Sequence, residues 1–160
     1  PMRKKNLKSA ISALFGALLV LSLTGCSAAG PDAMTRLTRQ VTDGVEGKSG
    51  DIRVVNVLLV EQEDGSAVLV GTVANSGEAS DSITQITADG IPGAFSAPEL
   101  FTNEPAIFEG DSSNSSARFE GLNAKASGHV TIQFYFADGA PVILEAIVRE
   151  KNDIYENVGN

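Results

Sequence analysis

The chain has 160 residues, a formal net charge of −8 and a single cysteine. Its 20 acidic and 12 basic residues argue against binding to nucleic acid and against holding an anionic membrane surface by charge. One cysteine allows no disulfide bond within the chain, so the stability of a folded domain must come from its hydrophobic core.

The beginning of the chain predicts a targeting segment. An apolar run over residues 10–23 follows four basic residues with no acidic residue among them: Arg3, Lys4, Lys5 and Lys8. The run is shorter than the ~20 residues of a membrane-spanning helix, and its length is typical of a signal peptide. The basic flank would stay on the cytoplasmic side of the membrane. We therefore expect residues 1–25 to be a signal peptide that is removed.

Cys26 follows the apolar run and indicates the type of signal. Leu23, Thr24 and Gly25 precede it directly, and this pattern resembles the bacterial lipobox. In a lipobox the cysteine thiol receives a diacylglyceryl group, and the chain is cut just before the cysteine. Two acyl chains give stable anchoring, because each buried methylene contributes about 0.8 kcal/mol. We expect Cys26 to be lipidated and to hold the protein on the outer face of the bacterial cell membrane. An uncleaved anchor and an ordinary signal peptide with a chance cysteine are the alternatives.

A tether and a strongly acidic domain would remain after cleavage. Four of the twelve basic residues precede residue 9, so residues 26–160 keep eight basic and 20 acidic residues, a formal net charge of −12. Residues 26–36 predict a flexible tether, since Ser, Ala and Gly are frequent there. The apolar spacing over residues 37–45 fits either a helix or an edge strand. Frequent Val and Thr residues favour the strand.

Residues 37–150 predict a single domain of short β-strands. Ile52–Glu61 reads as a strand buried on both faces, and a turn containing Gly65 joins it to a partner strand, Ala67–Asn75. The clearest alternation of apolar and polar residues comes in residues 130–136 and 142–148. About seven or eight such strands, separated by turns, predict an all-β fold, an antiparallel β-sandwich. Residues 151–160 read as a polar tail.

No group of residues predicts catalysis. His129 is the only histidine, and the chain has no Gly-x-Ser-x-Gly motif, so we expect a protein that is not an enzyme. Glu61, Glu63 and Asp64 at a turn, and the oxygen-rich residues 111–115, offer ligands of the kind that calcium prefers. A solvated turn and a flexible loop are the better interpretations of these two segments.

Phenylalanines in the irregular middle of the domain provide a candidate docking surface. Phe95, Phe101 and Phe108 lie among prolines and polar residues, away from the regular strands. Core packing is the simplest expectation for such rings. Any of them that is exposed would instead mark a surface for another protein.

Two segments resemble the PCu(A)C family of periplasmic copper chaperones. Residues 74–81, Ala-Asn-Ser-Gly-Glu-Ala-Ser-Asp, look like the N-x-G-x-x-x-D turn of that family, and residues 130–139 are similar to its last hairpin. With the lipobox and the tether, the order of segments looks most like the actinobacterial lipoprotein branch of the family. The resemblance covers roughly residues 37–149 and implies a cupredoxin-like or immunoglobulin-like β-sandwich.

The resemblance also implies a Cu(I) site of two histidines and two methionine thioethers, which this chain does not supply. The two methionines are Met2 in the leader and Met34 in the tether, and the single histidine is His129. The family's first ligand histidine would align near Leu100 and Phe101, where there is none. We therefore expect no metal site of the family type and no cofactor.

The resemblance further implies a partner. Lipoproteins of this branch occur as accessory subunits of the cytochrome bcc–oxidase supercomplex. We predict a non-catalytic, lipid-anchored accessory subunit of a membrane protein complex in the cell envelope. A copper-chaperone-related carrier of a metal or small ligand is the alternative.

Overall fold

Ten β-strands and one 3-10 helix make up the computed structural model, which describes residues 44–160. The strands are β1 (Val45–Ser49), β2 (Ile52–Glu61), β3 (Ala67–Asn75), β4 (Ile83–Ala88), β5 (Ile91–Pro92), β6 (Ala94–Ser96), β7 (Ala106–Phe108), β8 (Ser116–Phe119), β9 (His129–Phe136) and β10 (Val142–Arg149). The 3-10 helix Asp153–Tyr155 follows β10. The predicted all-β fold is confirmed, and the strand count exceeds the expected one because the irregular middle contributes β5, β6 and β7.

The strands form two antiparallel halves that join along one short parallel contact. Their order is β5-β4-β9-β10-β2-β3-β8-β6, with β1 added to β2 and β7 added to β3. The parallel contact between β10 and β2 consists of two residue pairs, Val148 with Leu59 and Arg149 with Val60. The two halves therefore separate beyond this contact and enclose the core between them.

The core lies where the apolar faces of the two halves meet. In β9 and β10, buried and more exposed residues alternate, so that Ile132 lies opposite Leu144 and Phe134 opposite Val142. This alternation confirms the period-two pattern seen in the sequence. The other half contributes core side chains of similar size: Val54, Leu59, Leu69, Phe108 and Phe119.

The C-terminal segment, residues 151–160, packs against the outer face of the β2–β3 hairpin, and we call it the strap. It completes a second apolar cluster formed by Leu58, Val60, Val68 and Val158. The Lys151 ammonium donates a hydrogen bond to Gln62, and the Arg118 guanidinium donates one to the Gly159 carbonyl. The expectation of a polar tail missed this packing, because Val158 is the one strap residue that is only 9% exposed.

At its other end the described chain begins close to β1. A Cβ atom on Gly47 would lie 2.8 Å from the side chains of Val142 and Leu144, so glycine lets β1 pass closely over β10. The sequence left open whether residues 37–45 form a helix or a strand. Of these residues, the structure describes only Gly44 and Val45. The predicted signal peptide, Cys26 and the tether lie outside the described residues as well. Within residues 44–160 the structure contains no helix of the length and apolarity needed to cross a membrane.

Candidate functional site

Four connections between strands meet at one end of the domain, which we call the apex. It consists of residues 50–51, 76–81, 97–105 and 137–141. The backbone N–H of Ser76 donates to the Asp51 carbonyl over 3.0 Å. Asp81 and Leu100 exchange two backbone hydrogen bonds of 3.3 and 2.8 Å. The Gly139 N–H reaches the Asp81 carboxylate over 2.9 Å, so all four connections are bound to one another.

The buried side chain of Asn75 holds two of these connections together. Its amide nitrogen donates to the carbonyls of Ala79 and Leu100 over 2.7 and 2.9 Å. Its amide oxygen accepts a 2.9 Å hydrogen bond from the Gly77 N–H. Donor and acceptor of the amide are thus both used on backbone groups, which fixes the β3–β4 turn against residues 97–105.

The carboxylate of Asp81 fixes the β9–β10 turn in the same way. Asp81 is 9% exposed, and its oxygens accept N–H hydrogen bonds from Ser82, Asp138 and Gly139 over 2.7, 3.1 and 2.9 Å. Burial by itself raises the pKa of this carboxyl, but the hydrogen bonds to its charged form outweigh burial and hold the pKa below its usual value. The group is therefore ionised at neutral pH.

The structure separates the three rings of the candidate docking surface. Phe101 is 47% exposed at the apex, whereas Phe95 is half-buried against the core. Phe108 is only 1% exposed, because β7 pairs with β3 opposite Gly71 and turns this ring inward. Phe108 therefore packs in the core, as was the simplest expectation for these rings, and is not part of a docking surface. Of the three rings, Phe101 alone presents a large exposed area.

Phe101 lies on a segment whose backbone is fixed. Its carbonyl accepts a 3.1 Å hydrogen bond from the Glu104 N–H, which closes a tight turn. Within that turn, the Thr102 hydroxyl donates to the Gly77 carbonyl and the Asn103 N–H donates to the Asn75 carbonyl. The exposed ring is thus displayed by a bonded turn.

The apex is acidic. Its four segments contain no lysine or arginine, and five exposed carboxylates belong to them: Asp51, Glu78, Glu99, Glu104 and Asp138. Glu99 accepts a 2.6 Å hydrogen bond from the Ser80 hydroxyl. A Cβ atom on Gly77 would lie 2.7 Å from an Asp51 carboxylate oxygen, which places Asp51 beside the turn that carries Glu78.

The other candidates considered from the sequence lie on separate strands and turns of the described chain. Among residues 44–160, no three His, Cys, Asp or Glu side chains are grouped so as to hold a metal ion. His129 is exposed at the start of β9. Asp64 accepts hydrogen bonds from the hydroxyl and the N–H of Ser66, which lower the pKa of Asp64 within its turn. In residues 111–115, the Asn114 side chain accepts a hydrogen bond from the Ile107 N–H and so folds that loop.

An open groove of about 530 Å³ lies at the opposite end of β9 and β10 from the apex. Arg149, Ile154 and Tyr155 line it together with neighbouring strap residues. His129 is not among the residues that line this groove, so the groove brings no imidazole base together with carboxylates.

The described residues do not fit a Cu(I) site built on sulfur. Residues 44–160 contain one histidine and neither methionine nor cysteine. Cu(I) prefers soft thiolate and thioether ligands. The sulfur atoms of the chain belong to Met2, Cys26 and Met34, all outside the described residues.

The fold defines the class of the domain, a cupredoxin-like or immunoglobulin-like β-sandwich, and this fold is similar to that of solved PCuAC domains. Solved structures similar to the chain include the apo PCuAC domain from PmoF1, with a TM-score of 0.58 and 12% identity, covering 66% of this chain and 99% of that domain. The copper-bound PCuAC domain from PmoF2 has a TM-score of 0.57 and 17% identity, covering 66% and 98%. The apo PmoF2 PCuAC domain has a TM-score of 0.55 and 14% identity, covering 68% and 98%. No protein-family model and no curated protein sequence matches the chain.

The sequence pointed to one segment of the apex, but it did not predict the hydrogen bonds that the side chains of this segment form. The resemblance singled out residues 74–81, which contain both Asn75 and Asp81. Their hydrogen bonds to distant segments, around Leu100 and Gly139, carry no local signal in the sequence. The N-x-G-x-x-x-D pattern of the resemblance, with Asn75 first and Asp81 last, was the feature that pointed to the two residues themselves.

Proposed function

We propose that the chain is a non-catalytic, lipid-anchored accessory subunit that docks through its apex on a membrane protein complex of the cell envelope. The observation that carries this proposal is Phe101, a 47% exposed ring on a hydrogen-bonded turn. Aromatic residues are enriched at protein interfaces, and a pre-ordered turn loses little conformational entropy on binding. The ring is therefore suited to act as an anchor residue.

The predicted lipid anchor supports docking near a membrane. The 17 residues between Cys26 and Gly44 could span at most about 60 Å when extended. A domain on such a tether can reach the outer surface of a complex while its lipid stays in the same membrane. Tethering also raises the effective concentration of the domain at that surface, so a modest affinity suffices.

The respiratory cytochrome bcc–oxidase supercomplex is the partner that we propose first. The support for it is the resemblance to the actinobacterial lipoprotein branch, carried by the lipobox and by residues 74–81 and 130–139. The PCuAC-type fold of the described domain agrees with that resemblance.

A copper-chaperone-related carrier of a metal or small ligand is the second candidate. The fold similarity favours this candidate more directly than it favours docking, since one of the similar structures is a copper-bound PCuAC domain. The composition of residues 44–160 opposes a family-type site, because their one possible soft-metal ligand is His129. A carrier would need sulfur from Met34 or from another protein.

Purification of the full chain from native membranes separates the two candidates. After mild crosslinking and detergent extraction, docking predicts that subunits of one membrane complex co-purify with the wild type and are depleted in Phe101→Ala. Ile143→Ala, which truncates a 60% exposed side chain on β10, is the matched control and should retain them. Recovery of the wild-type chain alone would count against docking.

Copper content and a Cu(I) competition titration on the same preparation test the carrier. Stoichiometric, tight copper that is lost in His129→Ala or Met34→Leu would establish the second candidate.

The predicted lipid anchor is tested separately. Cys26→Ser should abolish labelling by radioactive palmitate, and unchanged labelling would refute the lipobox assignment.

A further inference from the structure

We infer that the apex recognises a positively charged protein segment with an apolar pocket for the Phe101 ring. This inference rests on the proposed docking function and names the chemistry of the partner. Its basis is the combination of one exposed ring with carboxylates that have no positive neighbour within the apex segments.

Two of the exposed apex carboxylates belong to segments joined to the turn of Phe101 and have no partner among residues 44–160. The side chains of Glu78 and Glu104 are exposed and make no hydrogen bond or ion pair with the rest of residues 44–160. Glu104 closes the turn that displays Phe101, and Glu78 follows Gly77, whose carbonyl binds Thr102 of the same turn. Both carboxylates thus belong to segments bonded to the turn that displays the ring, where a cationic partner surface would attract them.

Four of the six basic side chains of the described domain, Arg118, Lys125, Arg149 and Lys151, lie away from the apex. Arg118 and Lys151 bind groups of the strap and of the β2–β3 turn, and Lys125 lies near that turn. Lys48 and Arg53 lie opposite each other on β1 and β2, beside the apex but outside its segments. The four apex segments therefore carry only negative charges, while Lys48 and Arg53 flank one of them.

A protein segment fits this surface better than other cationic or apolar partners. Anionic lipid headgroups and nucleic acids would be repelled by the five exposed carboxylates of the apex. Free metal ions and polyamines would leave the Phe101 ring exposed. A protein segment rich in Lys and Arg can pair with the carboxylates, cover the ring with apolar side chains and place a cation over its face.

Site-specific photo-crosslinking in native membranes tests the inference. The full chain carries p-benzoylphenylalanine in place of Phe101, and in separate variants in place of Ile143 or Ile154, which are 60% and 81% exposed elsewhere. Peptide sequencing of the adducts then identifies the contacted segment. We expect an adduct at position 101 in a protein segment with an excess of Lys and Arg.

Charge variants supply the second readout. Glu78→Gln with Glu104→Gln should reduce the yield at position 101 roughly fivefold, the effect of losing two exposed ion pairs. Raising the salt concentration should reduce the yield as well, because screening shortens the reach of exposed charges. Glu63→Gln with Glu120→Gln removes the same charge from the other end of the domain and should leave the yield unchanged.

Each remaining outcome overturns a distinct statement. An adduct at position 101 in a neutral or acidic segment or in lipid, or a yield insensitive to both salt and the apex pair, overturns the inference on partner chemistry. Adducts at positions 143 or 154 without one at 101 overturn both the inference and docking through the apex, and leave docking by another face of the domain. The absence of protein adducts at all three positions overturns the proposed docking function itself.

Discussion

Replacing Asp81 with asparagine tests whether this buried carboxylate holds the apex together. The carboxylate accepts three N–H hydrogen bonds of 2.7–3.1 Å, from Ser82, Asp138 and Gly139. Asparagine has the same shape but one acceptor oxygen, so its NH2 group would face at least one donor. Hydrogen bonds to charged groups contribute about 1.5–3 kcal/mol each. Since the β9–β10 turn is partly exposed and water can replace a lost partner, we expect a loss of about 2 kcal/mol in the free energy of unfolding.

Urea unfolding at several pH values measures this loss and its origin. Because the pKa of Asp81 is lowered in the folded protein, the carboxylate stabilises the fold fully above the unfolded-state pKa, near ~3.9. That stability is lost as the pH falls through the folded-state pKa, so wild type and Asp81→Asn should converge below about pH 4. Asp138→Asn removes an exposed carboxylate from the same turn and is the control. Equal stability of Asp81→Asn and wild type at pH 7, or a difference that persists unchanged down to pH 3, would refute the reasoning.

Three further predictions about the packing are tested by urea unfolding of four variants. Phe108→Ala should cost about 3–5 kcal/mol, because this ring lies in the core; a loss below about 1 kcal/mol would contradict the burial. Val158→Ala should cost about 1 kcal/mol by uncovering the second apolar cluster, whereas Ile154→Ala in the same strap should change little; equal effects would show that the strap does not pack. Gly93→Ala should cost about 1–3 kcal/mol, because its Cβ would lie 2.6 Å from the buried Phe119 ring, and wild-type stability would mean that the ring moves freely.

The strands with the strongest alternation were predictable from the sequence. β9 and β10 follow the expected limits closely, since one face of each is buried and a shift of one residue would expose it. β2 was also predictable, because a run of Val and Leu on both faces indicates burial on both sides. Because the apolar side chains on the second face of β2 must also be buried, some other part of the chain must pack against that face. The composition of residues 151–160 hid that part, since one valine among polar residues carries no periodic signal.

The irregular middle was not predictable for a physical reason. β5, β6 and β7 contain two or three residues each, too few to show any period. Whether Phe101 or Phe108 is buried depends on pairing with strands far away in the sequence, β3 above all. The same holds for Asn75, whose partner Leu100 is 25 residues away. The resemblance therefore pointed to residues 74–81, and the meeting of that turn with the other apex segments was not predicted.

The hydrogen-bond partners of Asn75 and Asp81 bear on the choice between carrier and docking subunit. The bonds of both side chains go to backbone groups of the apex itself: Asn75 to Gly77, Ala79 and Leu100, Asp81 to its own neighbours and the β9–β10 turn. Asn75 and Asp81 are therefore needed to hold the backbone of the apex in place, independently of which side chains the apex exposes to a ligand or partner. Asn75 and Asp81 carry much of the resemblance to copper chaperones. Their presence therefore supports the shared fold, but it favours neither the presence nor the absence of bound copper. What the apex of residues 44–160 displays is an exposed phenylalanine and carboxylates, with no methionine or cysteine, and it is these side chains that bear on the choice between the two functions.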